Sequence, residues 1–173
     1  MKKLIYLIIA LTLSCSLYSQ TFTDYLTSTN YINTGFEKFK LSDYSGAIAD
    51  YTKAIEIDPS NAEAYNYRGY AKFKRSDYSG AIADYTKAIE LDHKHAKAYN
   101  NRGYAKEKLS DYSGAIADYT KAIEFDPNYA KAYNNRGLAK IQLGQKENGC
   151  LDLSKAKELG FEKANEMIKK YCQ

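Results

Sequence analysis

Tryptophan is absent from this sequence, and proline and histidine occur only twice each. The histidines, His93 and His95, and the three cysteines, Cys15, Cys150 and Cys172, supply too little material for a metal centre or a nucleophilic triad. His93 and His95 could share a metal, but no third ligand stands nearby, and "HKH" reads as a surface turn. No C-x-x-C spacing exists, which excludes a catalytic dithiol. A glycine-rich phosphate loop, a G-x-S-x-G elbow and a haem motif are all missing. The sequence therefore predicts no catalytic residue, no metal and no cofactor. Formal net charge is only +4, which gives no case for a nucleic-acid partner. The longest apolar run, "LIYLIIALTL", has ten residues, where a membrane span needs about 20.

That run has a different use. It follows the basic start "MKK" and precedes the small and polar "SCSLYSQ", the pattern of a secretory signal peptide. Residues 1–19 are assigned to it, with Leu17 and Ser19 before the cut and Gln20 after it. An extracytoplasmic location, periplasmic or secreted, is expected, with no integral span after cleavage. Lipid anchoring at Cys15 is the minority reading; Ser14 fits it, whereas Leu13 and Thr12 do not. Residues 20–27 are expected to form a linker.

What the chain has in abundance is itself. "DYSGAIADYTKAIE" occurs three times, starting at Asp43, Asp77 and Asp111, a spacing of 34 residues. Written in rows of that length, the chain gives repeats at 28–61, 62–95 and 96–129, and a fourth at 130–160 that decays after Gly144. Gly35, Gly69, Gly103 and Gly137 fall in one column, and Tyr31, Tyr65, Tyr99 and Tyr133 in another. Each row reads as two helices. Ala81, Ile82, Tyr85, Ala88 and Ile89 make one apolar stripe at helical period, and Asp77 stands where it can cap the first free amides. Pro59 and Pro127 cannot continue a helix and can begin the next. Gly69 costs about 1 kcal/mol against alanine in a helix, so a neighbouring helix is expected to approach there, with Ala81 opposite.

With an aromatic at row position 4, glycine at 8, alanine at 20, an aromatic at 24, alanine at 27 and proline at 32, the unit resembles the tetratricopeptide repeat. Tyr65, Gly69, Ala81, Tyr85 and Ala88 carry the match in the second row, and Tyr99, Gly103, Ala115, Tyr119, Ala122 and Pro127 in the third. The resemblance implies an all-α fold: a right-handed solenoid of antiparallel helix pairs whose first helices line a concave face. One pair cannot bury its own apolar face, so neighbours must stack. After Gly160, residues 161–172 place Phe161, Ala164, Ile168 and Tyr171 at helical spacing and are expected to form a capping helix.

Removal of Cys15 with the signal peptide leaves Cys150 and Cys172. An antiparallel cap returns its end to the start of the preceding helix, which predicts a Cys150–Cys172 disulfide; two free buried thiols are the alternative. Row position 7, usually apolar in the family, holds Arg68, Arg102 and Arg136. Asp50, Asp84, Asp118 and Asp152 form an acid column, and Arg–Asp ion pairs are expected, within a row or between rows. An alternative has the arginines reaching into a ligand groove.

The candidate groove carries Asn33, Phe36, Asn66, Tyr70, Lys74, Asn100, Asn101, Tyr104, Lys108, Lys131, Asn134 and Asn135. Asparagine can both donate to and accept from a peptide backbone, aromatics bury apolar side chains, and lysines favour acidic segments. The family's carboxylate clamp is only partly matched, by Asn101 and Lys131. The expected function is that of a non-enzymatic scaffold or adaptor that binds a protein or peptide partner in this groove. The alternative is an envelope component that self-associates through its flanks.

Overall fold

Asp43, Asp77 and Asp111 each open a helix, their carboxylates accepting from Gly46, Gly80 and Gly114 N–H at 2.8–2.9 Å. The structure, a computed structural model, describes residues 21 and 23–173. The predicted signal peptide, Cys15 included, lies outside the described residues. Helix α1 covers 23–40. It is followed by α2 (Tyr44–Ile57), α3 (Ala62–Lys74), α4 (Tyr78–Leu91), α5 (Ala96–Lys108) and α6 (Tyr112–Phe125). The chain ends with α7 (Ala130–Gln142), α8 (Lys146–Glu158) and α9 (Ala164–Tyr171). No strand occurs among the described residues, and none of the described helices is long and apolar enough to cross a membrane. The expected linker is a correction: residues 23–27 are already helical, and Ser28 is buried with its hydroxyl on the Ala54 carbonyl at 3.1 Å.

From α2 onward each helix packs on the next, and α5 also touches α3 and α7. The protein is thus an all-α solenoid of stacked helix pairs. Its core is periodic. Tyr51, Tyr85 and Tyr119 are buried, each wedged between an alanine of its own helix and one of the next repeat: Ala47 and Ala71, Ala81 and Ala105, Ala115 and Ala139. The same rings explain the glycine column. A Cβ at Gly103 would lie 2.8 Å from the Tyr119 ring and 3.1 Å from the Ala115 carbonyl, so the ring, with the backbone of Ala115, is the close neighbour. In the last pair Leu153 replaces the tyrosine, and Gly137 and Gly149 bring the two backbones together.

The turns between paired helices repeat as well. Ser42, Ser76 and Ser110 hold φ of 63–64°, and Gly144 takes the same place in the fourth repeat at 78°. Around Ser76, Asp77 N–H reaches the Lys72 carbonyl at 3.0 Å and Ser76 N–H the Phe73 carbonyl at 2.9 Å, the Schellman ending of a helix.

The cap is shorter than expected. Only Ala164 of α9 is buried, and the helix packs on α8. Cys150 and Cys172 are bonded, with Cα atoms 5.7 Å apart, so the end of α9 is fixed to the start of α8.

Candidate functional site

Two polar networks and one cavity involve the first helices of the repeats. The arginine column belongs to the first network. Arg68 pairs with Asp84, Arg102 with Asp118 and Arg136 with Asp152, all within a repeat, at 2.7 Å. The third prong of each arginine crosses to the preceding repeat, where Nη1 donates to Thr52, Thr86 or Thr120. Each guanidinium also lies over the tyrosine ring three residues earlier, Tyr65, Tyr99 or Tyr133, at 5.4–5.5 Å. Lys72, Lys106 and Lys140 reach the same aspartates at 2.8 Å. Asp50 has no arginine in its repeat, where Thr34 stands, and is met by Lys38 instead. This lysine column was legible in the sequence, one turn after the arginines. The arginines are therefore engaged in the structure and do not line the cavity.

The asparagines form the second network. Asn66, Asn100 and Asn134 are buried, at 5%, 1% and 6% exposure, which removes them from the set of side chains facing outward. Asn101 donates to Asn66 and Asn135 to Asn100, both at 3.1 Å, linking successive repeats. The asparagine column thus serves repeat-to-repeat contact first.

The cavity, of about 490 Å³, spans the second, third and fourth repeats and the cap. It brings together Tyr70, Lys74, Asn101, Tyr104, Lys108, Lys131, Asn134 and Asn135 of the expected groove. An adjoining space lined by Asn66, Tyr67 and Lys97 extends it. Asn33 and Phe36 line neither; they are exposed on α1. Asn100 lies behind the wall.

Sequence reading missed half of the lining. Phe73 and Glu107 share row position 12, one residue before the groove lysines Lys74 and Lys108. Phe161, Lys163 and Met167 come from the cap and its approach, for which the sequence predicts only a covering helix. Aromatic rings run along the inner side, Phe39 on Tyr70 at 5.1 Å and Phe73 on Tyr104 at 5.0 Å. Lys74 and Lys108 lie over Tyr70 and Tyr104. Burial, then the charges of Lys74 and Lys163, push the Lys131 pKa down. Burial pushes the Glu107 carboxyl up, although Tyr119 donates to it at 3.0 Å.

The histidine turn departs from expectation. His93 rests on the Ile89 carbonyl, but His95 is buried at 8% exposure, with Nε2 3.7 Å from Glu63. Among the described residues no cluster of three or more histidine, cysteine, aspartate or glutamate side chains could hold a metal ion.

The sequence pattern of the TPR repeat matches residues 35–75 and 69–110, and two further tetratricopeptide repeat patterns match 96–129 and 118–150. The chain belongs to the tetratricopeptide repeat family. Among curated protein sequences none matches it. Solved tetratricopeptide structures do. A crystal structure of MamA superposes with a TM-score of 0.73 at 27% identity, covering 80% of this chain and 81% of that one. The first repeat domain of Spaghetti (RPAP3), bound to the HSP90 peptide SRMEEVD, gives 0.67 at 29%, over 69% and 94%. The second domain of human RPAP3, in complex with the HSP70 peptide SGPTIEEVD, gives 0.66 at 29%, over 68% and 98%.

Proposed function

We propose that this tetratricopeptide protein is a non-enzymatic scaffold that takes a peptide segment of a partner protein in the cavity of its second to fourth repeats. The observation that carries the reading is the lining: aromatic walls from Tyr70, Phe73, Tyr104 and Phe161 under a rim of lysines from three elements and the cap approach. Such walls accept apolar side chains, and such a rim attracts acidic segments. The peptides bound by both RPAP3 domains, with paired glutamates and a terminal aspartate, fit that chemistry on related scaffolds. The adaptor works outside the cytoplasm. The basic start and apolar run of residues 1–19 support this, as does the Cys150–Cys172 bond, since disulfides persist in oxidising compartments.

The test is a capture from the extracytoplasmic fraction with wild type, an Asn101→Ala/Tyr104→Ala double variant and a Lys74→Glu/Lys108→Glu double variant. Partners held by wild type and lost by both variants, with folding intact by circular dichroism, support the groove. Partners retained by both variants overturn it. Recovery only of further copies of the chain supports self-association through the flanks.

A further inference from the structure

At the cavity floor the third row departs from the others in charge. Row position 12 is Phe39, Phe73 and Ile141 in the other repeats and Glu107 in the third. Glu107 lines the cavity, accepts from the Tyr119 hydroxyl at 3.0 Å, and makes no ion pair among the described residues. The equivalent of Tyr119 one repeat earlier is Tyr85. It is fully buried and lines the same cavity, and its hydroxyl has no partner among the described residues. Phe73, at the place of Glu107 in its repeat, offers none. For packing alone phenylalanine would serve at Tyr85, and an orphaned buried hydroxyl is costly. Asn134, at 6% exposure, also lines the cavity, and its Oδ1 is likewise unpartnered.

The floor thus holds a carboxylate, a hydroxyl and an amide oxygen, and each can accept from a guest's donor. The rim is opposite in kind. Lys74, Lys108, Lys131 and Lys163 only donate, and the crowding of Lys74 and Lys163 on Lys131 is relieved by an anion. A wholly acidic guest satisfies the rim and repels Glu107; a wholly basic one does the reverse.

On the footing of the groove reading, we infer that the cavity is bipolar and selects a peptide that places an arginine or lysine side chain against Glu107, Tyr85 and Asn134 and a carboxylate against the lysine rim. Arginine fits best, because its planar fork can serve several acceptors at once.

The test uses two labelled hexapeptides with free terminal carboxylates and two aspartates each, one ending in arginine and one in leucine. Fluorescence anisotropy reads the ratio of their affinities. The arginine peptide should bind wild type about tenfold more tightly, the size expected of a charge-assisted pair. In Glu107→Gln, which keeps an acceptor for Tyr119, the ratio should fall below about threefold, and in Tyr85→Phe it should fall by a smaller amount. Equal binding of both peptides by wild type overturns the bipolar site and leaves the groove standing. An arginine preference unchanged in Glu107→Gln overturns it as well. Failure of both peptides to bind, alongside partner capture that depends on Tyr104, overturns the inference alone; failure of both experiments removes the groove too.

Discussion

Arg102 grips Asp118 with two prongs, Nε to Oδ2 at 3.0 Å and Nη2 to Oδ1 at 2.7 Å, while Lys106 takes Oδ2 at 2.8 Å. Two cations converge on one carboxylate that is 4% exposed. Removing the acid leaves both cations partly buried without a counter-charge. Asp118→Asn should therefore cost on the order of 3 kcal/mol. Asp50→Asn, which loses the half-exposed Lys38 as partner and no arginine, should cost less, about 1–2 kcal/mol. Urea denaturation of the two variants checks the order; equal losses would show that the arginine adds nothing.

The serine turns carry a separate expectation. Ser110 holds φ of 63°, in the left-handed region that L side chains enter only at a cost of roughly 1–2 kcal/mol. The fourth repeat places Gly144 there, with open space around its absent Cβ. Ser110→Gly should stabilise the protein, by about 0.5–1 kcal/mol once the extra freedom of glycine in the unfolded chain is subtracted. A lower thermal midpoint than wild type would refute this. Gly103→Ala should do the opposite and cost about 1–3 kcal/mol, because its Cβ meets the Tyr119 ring and the Ala115 carbonyl.

The architecture was legible because the period was. The duplicated "DYSGAIADYTKAIE" fixes where helices start, and the Tyr and Gly columns fix which faces meet. The site was less so, for a physical reason. Position in a row states which face of a helix a residue occupies but not how deep it sits. Asn66, Asn100 and Asn134 share the groove-side column, yet neighbouring repeats approach closely enough to bury them. Asn101 and Asn135, one residue on, line the cavity, which the buried Asn134 also reaches. The cap's contribution, Phe161, Lys163 and Met167, depends on where a short terminal helix comes to rest, and no repeat pattern encodes that. Arginine at row position 7 left two pairing schemes open; the structure uses aspartate within the repeat and threonine across it.

Glu107 gives the chain a pH dependence whose sign can be worked out. Burial holds its carboxyl above the ordinary 4.5, so between 4.5 and its raised value the folded protein binds more proton than the unfolded chain. Stability falls as pH rises through that window and then stays lower. Glu107→Gln removes the charge while keeping an acceptor for Tyr119. The variant should be more stable than wild type at neutral pH, and the difference should close as pH falls toward 4.5. Denaturation curves at pH 4.5 and 7.5 measure it. A variant less stable than wild type at neutral pH would mean that the Glu107–Tyr119 bond outweighs the burial of the charge.

The Cys150–Cys172 bond closes a loop of sequence separation 22 at the end of a helix with only Ala164 buried. So little apolar burial cannot hold α9 against fraying, and the bond is the stronger restraint. In the chain-entropy account a loop of that length is worth about 3 kcal/mol. Cys172→Ser should lower stability by that order and make amides of α9 exchange early, while α3 to α6 exchange as in wild type. Because α9 and its approach supply Phe161, Lys163 and Met167 to the cavity, peptide affinity should fall in the same variant. Mapping under non-reducing conditions gives the covalent check. Recovery of the linked peptides containing Cys150 and Cys172 is expected; full alkylation of both thiols without reductant would remove the staple and the dependence built on it.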